Sequence, residues 1–200
     1  MKTGKQFRVL VTAGHTDVPI DKVRVISNIF KGKTGTAIAQ YFAEKGCSVI
    51  LLTSNSELVA GKPNGITVVN YRTYNQLAAM MKMIVVSWEK PDVLIHSAAV
   101  SDYSVDGVFV KGASGLLTPI DSSGKVSSKN PELFLRLVLT NKLVDLVRTK
   151  WKFEGTLVKF KLEVGISDSE LLAIADKSQK ASGADIMVAN CLEWASKYAY

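Results

Sequence analysis

A chain of 200 residues suits one α/β domain, and its 47% hydrophobic content is enough for a buried core. There is no run of about eighteen apolar residues, so no membrane span is expected, and the first residues lead into a strand without a signal-peptide pattern. Two cysteines and two histidines show no metal-ligand spacing. We therefore predict a single cytoplasmic domain over residues 1–200, with no metal held by the protein.

The formal net charge of +7 raises the question of a polyanionic partner. The lysines are spread along the chain and are not interleaved with aromatic residues, so no surface for stacking and binding a nucleic acid is evident. The charge instead favours a site for small phosphate compounds.

The first predicted strand covers 7–12 and leads through small residues to Gly14. A long polar loop follows, and it closes in Gly32-Lys33-Thr34-Gly35 at the start of a predicted helix over 33–45. A strand, a glycine-bearing loop and a helix N-terminus together favour phosphate binding, because free N–H groups and the helix dipole face the anion. The loop is also longer than an ordinary connection.

Two familiar phosphate motifs do not fit this stretch. A dinucleotide fingerprint needs three glycines in a tight turn, whereas only Gly14 is present before His15 and Thr16. A Walker A loop needs a glycine five positions before Gly32, where Ser27 stands. The sequence therefore predicts a phosphate loop of another kind.

Short apolar runs bounded by turn residues predict further strands, and helical spacing of apolar residues predicts further helices. The predicted strands are 48–53, 66–71, 92–97, 133–139, 156–162 and 185–189, and the predicted helices are 74–88, 141–150 and 167–182. This alternation predicts an α/β, modified Rossmann-like three-layer fold with a mainly parallel sheet and right-handed crossovers. Residues 104–130 are rich in Gly, Ser, Lys and Asp without a helical period, which predicts a protruding flap.

Polar and small residues follow several of these strands. Ligands bind beyond the carboxyl ends of parallel strands, so these polar and small residues are expected to form a site on one edge of the sheet. The expected groups are Thr12–Gly14, Ser97–Asp102, Phe160–Glu163 and Asn190. Ala98 and Ala99 would let a ligand approach the backbone. Asp102 could bind a sugar hydroxyl or a metal-bridged phosphate, or it could cap a helix or turn.

Together these residues resemble the phosphopantothenate–cysteine ligase family, in its short stand-alone bacterial form, over nearly the whole chain. The matching pieces are Val-Thr-x-Gly-x-Thr at 11–16, Pro-Ile-Asp-x-Val-Arg-x-Ile-x-Asn at 19–28, Gly-Lys-x-Gly at 32–35, Ala-Ala-Val-Ser-Asp-Tyr at 98–103, Lys-Val-Ser-Ser at 125–128, Phe-Lys-Leu-Glu at 160–163 and Val-Ala-Asn at 188–190. Each piece is weak alone, but all of them occur in the right order with compatible spacing.

The resemblance implies a ligase of coenzyme A biosynthesis, which joins the carboxylate of 4′-phosphopantothenate to the amine of L-cysteine through an acyl-nucleotide. It implies CTP as the expected co-substrate, with ATP as the alternative, and Mg²⁺ as the cofactor. It also implies a homodimer in which the region after the Ala-Ala-Val element helps to close the site. Neither a nucleic acid nor a membrane is expected as a partner.

The resemblance further implies roles for individual residues. Asn28 matches an asparagine that hydrogen-bonds the acyl-nucleotide, Arg24 matches a clamp for a phosphate or carboxylate, and Lys125 matches a flap lysine needed for the attack by cysteine. The residues implied for the nucleotide site are Gly14, Ala98, Ala99, Asp102, Phe160, Lys161 and Asn190. Those implied for the substrate or phosphate loop are Thr16, Gly32, Lys33 and Gly35.

Two stretches depart from the family pattern. The family commonly has Gly-Gly-Thr where this chain has Gly14-His15-Thr16, and a Ser-Ser or Ser-Thr pair where it has Phe30-Lys31. These departures support an alternative, a degenerate relative that binds a nucleotide or a coenzyme A precursor without turnover. A nicotinamide-dependent dehydrogenase is disfavoured, because its glycine loop is absent and the only Tyr-x-x-x-Lys pair lies on the first predicted helix.

Overall fold

The computed structural model describes residues 6–59 and 65–200. The strands are β1 (Arg8–Ala13), β2 (Val18–Pro19), β3 (Val25–Ile26), β4 (Ser48–Thr53), β5 (Ile66–Asn70), β6 (Val93–His96), β7 (Tyr103–Lys111), β8 (Leu117–Ile120), β9 (Phe134–Leu139), β10 (Thr156–Glu163) and β11 (Ile186–Cys191). The helices are α1 (Lys33–Glu44), α2 (Tyr74–Val85), α3 (Leu143–Thr149) and α4 (Asp168–Ser182), with a 3₁₀ turn at Ser56–Val59.

Six strands form the central sheet in the order β11-β10-β6-β1-β4-β5. Every neighbouring pair in it is parallel, as the apolar strand-length runs predict. Thr12 of β1 lies beside His96 of β6, which in turn lies beside Lys159 of β10. The carboxyl ends of these strands therefore meet at one edge, and the predicted α/β three-layer fold is confirmed.

Apolar side chains from alternate positions of the sheet form a core on each face. Leu10, Leu52 and Leu94 pack with α2 and α3 on one face, whereas Val9 and Val11 pack with α1 on the other. Helix α4 lies against β10 and β11 beside α3. Helices on both faces leave the edge at the strand ends open to a ligand.

The predicted flap is more regular than expected. Residues 103–139 contain a second, antiparallel sheet in the order β8-β7-β9. The strands β7 and β8 were not predicted within the flap over 104–130, whereas the strand predicted over 133–139 is β9. Most side chains of these strands are exposed or half-buried, and the pairing slips between Val105 and Gly107. No clear alternation of buried and exposed residues could mark them.

Candidate functional site

A cavity of about 470 Å³ lies at the carboxyl edge of the central sheet. One side is the loop that precedes α1, and the other is formed by the ends of β6, β10 and β11. Its lining residues are Gly14, Ile29, Phe30, Lys31, Gly32, Lys33, Thr34, Gly35, Ser97, Ala98, Ala99, Phe160, Lys161, Leu162, Asn190 and Ala195.

The N-terminus of α1 is open towards this cavity. Gly32 is its N-cap residue at φ 90°, and no side chain caps the helix. A Cβ at Gly32 would lie 2.5 Å from the backbone nitrogen of Gly14, and one at Gly35 would lie 2.4 Å from Ser97 Oγ. Glycine therefore lets the loop and the helix approach the strand ends closely. The uncapped N–H groups, with Lys31 and Lys33 nearby, suit an anion.

A buried polar pair holds the opposite wall. Thr12 Oγ1 accepts a hydrogen bond from the Ala98 N–H at 3.2 Å and lies 2.9 Å from His96 Nδ1. Burial, with a smaller effect of the Lys159 charge, lowers the pKa of His96 to about 4. At neutral pH the ring is therefore uncharged, and Nδ1 accepts the Thr12 hydroxyl proton if Nε2 carries the ring proton.

Asn28 lies on the loop and contacts the same wall. Its Nδ2 donates to the Ala99 carbonyl at 3.2 Å, and the backbone N–H of Thr16 donates to that carbonyl at 3.3 Å. The Thr16 side chain is fully buried and its Oγ1 accepts from the Ser101 N–H at 2.9 Å. Thr16 therefore supports the loop and does not line the cavity.

Arg24 belongs to a cluster of hydrogen bonds around Asp21. The Asp21 carboxylate accepts from the Arg24 guanidinium and from the N–H groups of Val23, Arg24 and Val126. The Arg24 guanidinium has the largest effect on the Asp21 carboxyl and holds its pKa well below the usual range. Arg24 Nη2 also donates to the Val126 carbonyl at 2.6 Å. This cluster fixes Val126, so the exposed Lys125, which directly precedes it, extends from an anchored backbone.

Nine of the predicted site residues line the cavity, and they share a position at a strand end or at the start of α1. They are Gly14, Gly32, Lys33, Gly35, Ala98, Ala99, Phe160, Lys161 and Asn190. Five others, Thr16, Arg24, Asn28, Asp102 and Lys125, do not line it. Asp102 is exposed and its carbonyl accepts from the Thr140 N–H at 2.9 Å.

Several cavity residues had no role in the sequence-based prediction. Ile29, Phe30 and Ala195 line the cavity, and Asp21 organises the loop beside it. Asp21 belongs to the Pro-Ile-Asp piece of the family pattern, which is the signal that could have identified it. Ala195 follows the last predicted strand and carries no comparable signal.

The cavity offers positive charge from its lysines. Lys161 Nζ lies 2.7 Å from Glu163, and the pair is partly exposed. Asn190 lines the cavity, but its Oδ1 is buried and lacks a hydrogen-bond partner among residues 6–59 and 65–200. The same residues contain no cluster of three His, Cys, Asp or Glu side chains able to hold a metal ion. The arrangement therefore suits an anionic ligand.

Comparison with known proteins shows the family of the chain. The family model described as the DNA/pantothenate metabolism flavoprotein C-terminal domain matches residues 4–198. The coenzyme A biosynthesis bifunctional protein CoaBC of Thermococcus kodakarensis is 35% identical over 187 residues, which are 93% of this chain and 41% of that protein. CoaBC of Methanocaldococcus jannaschii is 30% identical over 92% of this chain and 40% of that protein. The chain thus spans about two fifths of these curated relatives.

Solved structures show the same fold. The DNA/pantothenate metabolism flavoprotein from Streptococcus pneumoniae is 29% identical, with a TM-score of 0.77 over 94% of this chain and 82% of that one. The Cab2 mutant H337A in complex with phosphopantothenate-cysteine is 20% identical, with a TM-score of 0.70 over 94% of this chain and 73% of that one. Among the helices of the described residues, none has the length and apolar character needed to cross a bilayer.

Proposed function

This chain belongs to the DNA/pantothenate metabolism flavoprotein C-terminal domain family, and on that premise we propose that it ligates L-cysteine to 4′-phosphopantothenate at the expense of a nucleoside triphosphate. One observation carries the proposal: the cavity joins the open N-terminus of α1 to the Ala98–Ala99 wall and to Lys161. A site of this kind can hold two anionic substrates side by side, because backbone N–H groups and lysines offset their repulsion.

In the first step the carboxylate of 4′-phosphopantothenate attacks the α-phosphorus of the nucleotide. A carboxylate O–P bond forms, the bond between the α-phosphorus and the bridging oxygen to the β-phosphate breaks, and pyrophosphate leaves with that electron pair. The chain contributes by holding both anions in line, with α1 N–H groups and the lysines beside them as the positive partners. CTP is the proposed nucleotide, and Asn190 lines the same cavity.

In the second step the cysteine amine attacks the acyl carbon of the acyl-nucleotide. A C–N bond forms, the C–O bond to the phosphate breaks, and the nucleoside monophosphate leaves while the amine proton passes to solvent. Asn28 is proposed to hold the acyl-nucleotide beside Ala99, which its Nδ2 already contacts. Lys125 is proposed to offset the negative charge that develops on the acyl oxygen and the leaving phosphate.

Mg²⁺ is proposed to enter as part of the nucleotide substrate. The described residues lack a cluster of three side chains that could hold a metal, so a resident ion held by the protein does not fit them. A magnesium–nucleotide complex fits better, because Mg²⁺ is commonly bound through substrate phosphates and waters.

The ligase assay measures pyrophosphate release with 4′-phosphopantothenate, Mg²⁺ and either CTP or ATP, with and without cysteine. We expect release that requires 4′-phosphopantothenate, with CTP preferred. Asn28→Asp should reduce the rate at least about tenfold, because it exchanges the Nδ2 donor for a charge that repels the phosphate. Lys125→Gln should slow the cysteine-dependent product step more than pyrophosphate release. Lys129→Gln, on the same segment, serves as the matched lysine control.

The degenerate-binder alternative makes the opposite prediction. Such a protein would bind the nucleotide, measured by titration calorimetry, but would release no pyrophosphate with either nucleotide. That result with folded protein would overturn the ligase proposal.

A further inference from the structure

His15 lies beside the cavity and joins two parts of its loop. Its backbone N–H donates to Ser54 Oγ at 2.9 Å, so the main chain is held independently of the ring. The ring itself contacts the Phe30 carbonyl through Nδ1 at 2.9 Å, and its Nε2 lies 3.5 Å from Asp17 Oδ1. The His15 side chain is 14% exposed, whereas Phe30 lies at the surface.

The Phe30 contact matters because Phe30 and its neighbours Ile29 and Lys31 line the cavity. A carbonyl oxygen can only accept, so Nδ1 must donate the proton in this hydrogen bond. The ring therefore holds in place the segment that leads to Gly32 and to the open start of α1. His15 and Phe30, two of the positions at which the chain departs from the family pattern, are thus in contact with each other.

Both partners of the ring are acceptors. Asp17 is a carboxylate, and its other oxygen accepts from Arg72 Nε at 2.7 Å. The Nε2–Asp17 separation of 3.5 Å is longer than an ordinary hydrogen bond, so the Phe30 contact is the closer of the two. The ring contacts Asp17 from the loop, and Asp17 pairs with Arg72 from the segment after β5. Lys31 follows Phe30 in the chain, and Lys33 begins α1.

We propose that His15 is a positioning residue for the nucleotide: its ring ties the Phe30 segment to Asp17 and so holds the phosphate end of the cavity in its binding shape. The Phe30 contact fixes the carbonyl that precedes Lys31 and Gly32, so its loss should loosen that end of the cavity and weaken nucleotide binding. The inference rests on the proposed function for the identity of the nucleotide.

The test compares wild type with His15→Ala and His15→Asn. Titration calorimetry measures the Kd of CTP and of ATP with Mg²⁺. We expect His15→Ala to raise the Kd about tenfold, the size of one lost hydrogen bond. In the pyrophosphate assay the nucleotide KM should rise with kcat nearly unchanged.

His15→Asn separates the two contacts. The asparagine amide can still donate to the Phe30 carbonyl but offers no second ring nitrogen towards Asp17. It should therefore recover much of the affinity that His15→Ala loses. Glu44→Gln, at the far end of α1, is the control and should match wild type throughout.

The outcomes distinguish this inference from the ligase proposal. An unchanged Kd in folded His15→Ala would overturn the inference while leaving the ligase intact. If His15→Ala does not fold, a Kd raised about tenfold in folded His15→Asn, which keeps a donor for Phe30, would overturn it. Nucleotide binding with the expected His15 effects but no pyrophosphate release would support the inference and overturn the ligase. A wild-type protein that binds neither nucleotide would overturn both.

Discussion

At the scale of single residues, buried polar groups shape the cavity wall. Thr12 and His96 lie on neighbouring strands, and the Thr12 hydroxyl oxygen also accepts from the Ala98 N–H. This short chain of hydrogen bonds works with an uncharged imidazole. Protonation of His96 would remove the acceptor that Thr12 uses and would place a charge among buried neighbours.

The same pair predicts a specific pH dependence of stability. Burial lowers the pKa of His96 from 6.5 to about 4, so between these values the unfolded chain binds more protons than the folded one. Stability therefore rises with pH across this window, and acidification through it should cost on the order of 3 kcal/mol. Urea unfolding of wild type and His96→Asn at several pH values measures the difference.

His96→Asn is the appropriate comparison because its side-chain oxygen can still accept from Thr12 without titrating. Its unfolding free energy should lack the part of the slope that His96 contributes between about pH 4 and 6.5. Parallel curves for the two proteins would contradict the assignment of a buried, neutral His96.

At the scale of elements, the two ends of α1 use glycine for different reasons. Gly32 and Gly46 both have positive φ, of 90° and 81°. A Cβ at Gly32 would collide with Gly14, whereas a Cβ at Gly46 would meet nothing within 4 Å. Only the N-terminal glycine therefore combines a left-handed backbone with a close approach to the strand end.

We expect Gly32→Ala to destabilise the protein by about 2 kcal/mol more than Gly46→Ala. Both variants carry the strain of a positive φ and share the entropy effect on the unfolded chain. The difference between their unfolding free energies therefore isolates the collision. Gly32→Ala should also weaken nucleotide binding, whereas Gly46→Ala should not. Thermal unfolding and calorimetry measure both effects, and equal losses in the two variants would exclude a special role for the Gly32 contact.

The strands also show which elements a local sequence pattern can predict. The strand over 48–53 is found as predicted, because a buried parallel strand is an apolar run whose boundaries are turn residues. The strands of the second sheet have no such signature, since many of their side chains remain exposed. The strands β2 and β3 have two residues each, too few to show any period.

The candidate site divides in the same way. The rule that ligands bind at strand ends predicted the grouping of Gly14, Ala98, Lys161 and Asn190, and these residues line one cavity. The link between Asp21 and Val126 could not be predicted from local pattern, since it joins residues 105 positions apart. Contacts of this kind depend on the tertiary fold, which periodicity does not describe.

At the scale of the whole molecule, the second sheet carries apolar side chains that stay exposed in a single copy of the chain. Tyr103 lies opposite Leu139, and Val105 lies opposite Leu137, so these four side chains share one face. The exposed fractions of Tyr103, Leu137 and Leu139 are 48%, 45% and 75%. An exposed apolar cluster on a three-stranded sheet is typical of an interface.

A second copy of the chain is the partner we propose for this face, in keeping with the homodimer that the family resemblance implies. We expect the wild-type protein to sediment as a dimer at micromolar concentration, and the Leu137→Lys/Leu139→Lys double variant to sediment as a monomer. Charges placed on a buried apolar face lose solvation without gaining partners, so association should weaken by a factor of 100 or more, on the order of 3 kcal/mol.

Leu172→Lys changes a leucine on α4 that is 46% exposed, and it serves as the matched control. If the double variant stays dimeric, or if Leu172→Lys dissociates equally, the interface lies elsewhere. If the partner helps to close the site, the monomeric variant should also lose most of its pyrophosphate release while keeping its fold by circular dichroism.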